Sequence, residues 1–131
     1  MLAPLTLAAP LEITRHPGMS AASAAVAVGD DHFLAASDED NRLRLYSVRG
    51  GVSELELDVS PWMQLSGKRG EVDLEGAASL GDYTYWLGSH GHAKDGRARP
   101  DRERLFATQW ITNNARPGLR VVGQPDRKSV V

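Results

Sequence analysis

A repeated order of turns and short apolar runs limits this chain more than any other feature. Val28-Gly29-Asp30 precedes His32-Phe33-Leu34-Ala35-Ala36-Ser37, and Leu80-Gly81-Asp82 precedes Thr84-Tyr85-Trp86-Leu87-Gly88-Ser89. Gly-Asp is a turn-forming pair, and each copy sits between two apolar runs, as a hairpin requires. Downstream, Arg42-Leu43-Arg44-Leu45-Tyr46-Ser47-Val48 matches Arg102-Glu103-Arg104-Leu105-Phe106-Ala107-Thr108. The offset is 52 residues at the Gly-Asp pairs and 60 at the later segments, so the second copy carries eight extra residues between its second and third strands. A period of about 50 residues built from short strands is the mark of a β-propeller blade. One four-stranded sheet cannot cover its own apolar faces, so such units stack. Two unrelated hairpins in a sandwich are the alternative, and they account less well for the shared order, residue type and spacing.

The expected fold is therefore all-β and propeller-like, with two four-stranded antiparallel blades. Blade one spans about residues 20–59 and blade two about residues 72–123, with a tail at 124–131. Leu5–Thr14 alternates weakly and reads as an entering strand, broken by His16-Pro17-Gly18. Ser20–Val28, His32–Ser37, Arg42–Val48 and Val52–Val59 are the predicted strands of blade one. Leu74–Leu80, Tyr83–Ser89, Arg102–Ile111 and Leu119–Gly123 are those of blade two. In Ser60–Gly70, Pro61, Gly67 and Gly70 rule out a regular element, and Trp62, Met63 and Leu65 are expected to plug the space between blades. No helix longer than a turn is expected. Rings have about four to eight blades, so two cannot close one. Each end should then expose an apolar sheet face, to be completed by the remaining blades of a longer chain or by an oligomer.

Apolar residues make up 41% of the 131, and charged residues 24%, enough for a folded core. The net charge of −2 gives no electrostatic case for nucleic acid as a partner. Without cysteine there is neither a disulfide framework nor thiolate chemistry. Met1–Leu11 lacks the basic region of a signal peptide and is too short to span a bilayer. No membrane partner is expected, and the protein is read as soluble and cytoplasmic.

Strand direction alternates in a meander, so the loop between a blade's second and third strands emerges on the same rim as the connection entering its first strand. That places Asp38, Glu39 and Asp40 beside Asp73, Glu75 and the long Ser89–Arg99 loop. Asp73-Leu74-Glu75 puts two carboxylates on one side of an extended segment, where they repel unless a cation, a proton or an arginine is near. Calcium prefers clustered oxygens of this kind, so Asp73, Glu75, Asp38 and Glu39 are the candidate metal ligands; a structural turn is the competing reading. His90 and His92 are the candidate proton-handling groups, since imidazole titrates near neutrality. Two histidines fall short of a zinc site. Ser89, Lys94, Arg97, Arg99 and Arg102 are candidates for binding a small anionic ligand, phosphate or carboxylate. Pairing of the basic cluster of Lys94, Arg97, Arg99, Arg102 and Arg104 with Asp95, Asp101, Glu103 and the acidic rim is the plainer reading.

At these residues the chain resembles a known family. Asp73-Leu74-Glu75-Gly76-Ala77, Tyr85-Trp86-Leu87-Gly88-Ser89-His90 and Arg99-Pro100-x-Arg102-x-x-Leu105-Phe106 look like the bacterial domain of unknown function 3616, and Ser37-Asp38-Glu39 fits its N-terminal repeat. The resemblance covers about residues 20–110. It implies a longer, propeller-like protein of which this chain is an N-terminal part, and it brings no settled activity. The Asp-x-Glu-Gly motif is also similar to one in phytase-like esterase propellers, where acidic residues bind calcium. Only Asp73 and Glu75 match that pattern. Two functions are expected from different classes: a ligand-binding or scaffold module, or a calcium-assisted hydrolase of phosphate or carboxylic esters.

Overall fold

The computed structural model of the chain describes residues 3–4, 11–66, 70–113 and 116–127. Its strands are β1 (Ala22–Val28), β2 (His32–Ser37), β3 (Arg42–Ser47), β4 (Leu55–Asp58), β5 (Leu74–Leu80), β6 (Tyr83–Gly88), β7 (Arg104–Asn113) and β8 (Arg116–Arg127). They form two four-stranded antiparallel sheets of order β1-β2-β3-β4 and β5-β6-β7-β8. The only helices among the described residues are the single turn α1 (Ser60–Met63) and a 3-10 turn at Pro100–Arg102. The fold is all-β, with the arrangement of two neighbouring propeller blades and no closed ring.

The sheets meet face to face. Leu34 and Ala36 of β2 and Leu43 and Leu45 of β3 pack with Trp86 of β6 and Phe106 of β7 in one buried cluster. The linker adds Val59, Met63 and Val72, all at 0% exposure. Each such side chain stabilises the fold by roughly 1.5–3 kcal/mol relative to exposure. The one polar group of Trp86 is satisfied, its Nε1 donating to Thr108 Oγ1 at 2.9 Å. The first strands of the two sheets run side by side. Ser23 Oγ donates to the Leu74 carbonyl, and Ser79 Oγ donates to the Ala27 carbonyl at 3.5 Å. The sequences ASAAVAV and LEGAASL suit that approach, because small side chains let two backbones come close.

Several sequence expectations need correction. Leu34 of β2 pairs with Leu45, and Trp86, its counterpart in β6, pairs with Phe106. Leu45 therefore corresponds to Phe106, one residue beyond the match read from sequence. A one-residue slip turns every side chain to the other face. Arg44 consequently lies on the outer face of its sheet, and Arg104 points into the core. The third strand of the second sheet begins at Arg104, with Arg102 still in the 3-10 turn. The fourth runs from Arg116 to Arg127, well past the expected Leu119–Gly123 and into the expected tail. It is an edge strand, which tolerates Pro117 and Pro125 because one row of its N–H groups needs no ladder partner. The strand expected from Val52 begins only at Leu55. Trp62 is 42% exposed and does not plug the blades; Met63, fully buried, and the half-buried Leu65 do. Of the expected entering strand, 5–10 lies outside the described residues and 11–14 forms no strand.

The outer face of the first sheet is covered by its own chain. His16 meets Phe33 and Tyr46 edge-on at 4.9 and 5.4 Å, and Tyr46 Oη donates to the Pro17 carbonyl at 3.1 Å. Arg44 donates to Asp40 at 2.8 Å and to Glu56 at 3.3 Å, and the Asp40 hydrogen bond raises its pKa against its burial. The outer face of the second sheet is open, with Tyr83, Tyr85, Leu87 and Leu105 each 38–44% exposed.

Arg104, 1% exposed, donates to the carbonyls of Met63 (2.9 Å), Gln64 (3.2 Å) and Pro100 (2.6 Å) and pairs with Asp101 at 3.5 Å. Arg104→Met strands these acceptors in the core and is expected to cost about 2–4 kcal/mol in urea unfolding, with Arg104→Lys only a partial rescue. A loss below about 0.5 kcal/mol would remove Arg104 from the core's essential contacts. Leu87→Lys, on the open face, should leave unfolding within about 0.5 kcal/mol of the parent while lowering binding of a hydrophobic dye. A large destabilisation instead would mean that this face is packed.

Candidate functional site

The pairing of strand ends brings the site together. Ala22 pairs with Ser37 and Leu74 with Gly88, so the turn after β2, the segment before β5 and the loop after β6 share one rim. Val28 pairs with His32 and Leu80 with Tyr83, so both Gly-Asp turns lie at the opposite end. Gly88 is tightly placed, because a Cβ there would collide with the carbonyls of Arg102 and Val72. That close approach draws the start and end of the long loop against the segment carrying Asp73.

On this rim Asp38, Asp73 and Glu75 each place a ligand-capable oxygen within 4.8 Å of the others. They come from both sheets. Asp38 Oδ1 is buried without a hydrogen-bond partner. Asp73 is half-buried with φ of 55°, a left-handed conformation that aspartate tolerates better than most residues. Arg102 Nε approaches its Oδ2 at 3.4 Å and offsets part of the charge. Glu75 is exposed. Glu39 does not join the three; its carboxylate accepts from Ser20 Oγ.

The remaining candidates are spread along the loop. Ser89 Oγ accepts from the Gly91 N–H at 3.1 Å, closing a local turn. His90 has φ of 57° and contacts the Gly88 carbonyl through Nδ1 at 2.9 Å. A carbonyl only accepts, so Nδ1 carries the hydrogen and Nε2 is left as the basic nitrogen. His92 is exposed, and its carbonyl accepts from Arg102 Nη1 at 3.1 Å. Lys94 is exposed, and Arg97 pairs with Asp95 at 3.2 Å in the open. The charge pairing expected for the loop thus holds at Arg97, Arg102 and Arg104. Arg99 and Arg102 differ from the others in lining a cleft of about 500 Å³ that Gly70, Glu71 and Asp101 also border.

Two groups that matter here, Asn41 and Glu71, escaped the sequence reading, and Asp101, expected there as a partner of the cations, has a second role besides. Asn41 donates through Nδ2 to Ser60 Oγ (3.1 Å) and to the Gly70 carbonyl (2.8 Å), and its Oδ1 accepts from Val72 N–H (2.9 Å). Asp101 accepts from the backbone N–H and the hydroxyl of Ser66. Glu71 borders the large cleft and a second one of about 340 Å³ shared with Glu39 and Asp58. No motif marks the bonds of Asn41 or those from Ser66 to Asp101, because they join residues 19–35 apart.

Burial, and after it the charge of Asp73, raises the pKa of Glu71, with Arg102 and Arg99 acting the other way. A carboxyl with a raised folded pKa is costly to ionise. Its penalty is absent below the ordinary carboxyl pKa and grows as pH rises through the folded value. Glu71→Gln is accordingly expected to stabilise the fold at pH 7, by up to about 0.5 kcal/mol, and to make no difference near pH 3. Paired thermal unfolding at the two pH values checks this; a gain at both would assign the effect to packing.

Searches of curated proteins and of solved structures return no match to this chain. A family profile matches residues 21–116, which takes in the first seven strands and every candidate site residue from Asp38 to Arg102. The chain belongs to the family described as Protein of unknown function (DUF3616).

Proposed function

We propose that this two-sheet domain is a ligand-binding module whose working surface is the rim, and that Asp38, Asp73 and Glu75 hold a hard divalent cation there, calcium by preference. The observation that carries the reading is the meeting of three carboxylates from two sheets within 4.8 Å, one oxygen of Asp38 being buried and unpartnered. Like charges gathered this closely repel, and a divalent cation relieves that repulsion with the oxygen ligands it prefers. Arg102 relieves only Asp73. The left-handed backbone at Asp73 and His90 fits the same reading, since such conformations gather at binding sites.

A second reading makes the same ion part of a hydrolase of phosphate or carboxylic esters. It is favoured by the single hydrogen bond that leaves His90 Nε2 as the basic nitrogen on this rim. The ion would polarise the ester oxygen and His90 or His92 would move the proton. The binding module remains the stronger reading, because catalysis would need further groups to hold and orient an ester beyond these residues.

Calcium titration followed by tryptophan fluorescence and by calorimetry tests the first reading. Saturable binding is expected, weakened about tenfold or more by Asp38→Asn or Asp73→Asn, since each removes one of three anionic ligands. Binding that survives both substitutions would place the ion elsewhere. Hydrolysis of para-nitrophenyl phosphate or acetate, dependent on calcium and lost in His90→Gln, would promote the second reading.

A further inference from the structure

The two clefts that meet at Glu71 differ in electrostatic character. The smaller is bordered by Glu39, Asp40 and Asp58. Its cation Arg42 is already paired with Glu56 at 3.3 Å, and the hydrogen bond from Ser60 lowers the pKa of Asp58 and keeps it charged. That cleft repels anions.

The larger cleft runs the other way. Asp101 borders it, yet both its oxygens accept from Ser66 N–H, and Oδ1 pairs with Arg104 as well, so its charge is already compensated. Glu71 borders this cleft as well as the smaller one. Arg102 is held in place by Asp73 and by the His92 carbonyl, so its guanidinium is oriented before any ligand arrives. The Arg99 guanidinium makes no hydrogen bond or ion pair among the described residues. The cleft thus presents one fixed and one unpaired guanidinium, against the carboxyl of Glu71 and an Asp101 that is already paired. Guanidinium matches the planar and tetrahedral oxyanions of carboxylates and phosphates, often through two hydrogen bonds at once. The volume, about 500 Å³, suits a metabolite-sized ligand, and the lining offers little apolar surface beyond Ala98 and Pro100.

We propose that the cleft between Arg99 and Arg102 binds a small oxyanion, the phosphate or carboxylate group of a polar metabolite. This rests on the reading of the rim as a binding surface; the anion's contacts are Arg99 and Arg102, and of the three carboxylates assigned to the cation only Asp73 is involved, through its hold on Arg102.

The test is titration of the intact chain with methyl phosphate and, separately, with acetate, followed by the Nε–Hε resonances of the arginines. The expected result is saturable shifts at Arg99 and Arg102 with at least one probe, and the stronger probe identifies the ligand as a phosphate or a carboxylate. Arg99→Gln should weaken binding about fivefold or more, and Arg99→Lys less, because lysine keeps the charge without the fork. Arg99 is exposed and makes no side-chain contact that the fold needs, so both variants are expected to fold. Absence of binding by both probes, or binding indifferent to Arg99→Gln, overturns the proposal. Calcium titration of the same samples separates the two ideas: calcium binding without anion binding removes this inference alone, and loss of both removes the rim as a binding surface.

Discussion

The side-chain amide of Asn41 holds the two sheets in register, and the rim depends on it. One end of the linker is tied to it through Ser60 and the other through Gly70 and Val72. Its own backbone carbonyl accepts from Val59 N–H at 2.9 Å. Packing of apolar faces supplies most of the favourable free energy but little direction, since Leu and Val surfaces slide at small cost. Hydrogen bonds to a half-buried amide are directional, and leaving them unmade where water is partly excluded is costly. Asn41 stands three residues after Asp38, and Val72 directly precedes Asp73. The bond that closes the linker is therefore the one that sets the two carboxylates side by side.

Much of this fold was legible in the chain. Gly-Asp turns between apolar runs gave both hairpins their place, and alternation of strand direction put Asp38, Asp73 and the long loop at one end. These inferences rest on period and polarity, which are local. The third strands show where local inference stops. Arg42-x-Arg44 and Arg102-x-Arg104 look alike in sequence, yet the pairing Trp86–Phe106 sets them one residue apart. Register is decided by which side chains fill the core, and only Phe106 opposite Trp86 fills it. The similarity of the two arginine pairs is then a coincidence of composition, and their faces are opposite.

The candidate site divides in the same way. Its carboxylates and the presence of Arg102 followed from spacing. Glu71 did not, nor did the bonds from Ser66 to Asp101, since each depends on what surrounds the carboxyl: burial and Asp73 for one, a residue 35 positions away for the other. The exclusion of Glu39 is of the same kind. It lies next to Asp38 in sequence but turns to Ser20, so adjacency along the chain did not become adjacency in space.

Two arginines two residues apart show how core and rim are joined. Arg104 is wholly inside, and its guanidinium binds the carbonyls of Pro100 and Glu103 as well as the linker carbonyls at Met63 and Gln64. Pro100 opens the 3-10 turn that ends at Arg102, and Arg99 caps it. The core arginine thus fixes the turn from below while Asp73 and His92 fix Arg102 from above. Removing this buried cation alone would be costly, because its carbonyl and carboxylate partners would stay behind unmet. Its advantage is geometric: five donors in one plane tie four separate backbone carbonyls to one point, which no apolar side chain can do. The charged groups of the rim are held on loops, and they keep a defined position because a single charged group in the core holds the loop's end.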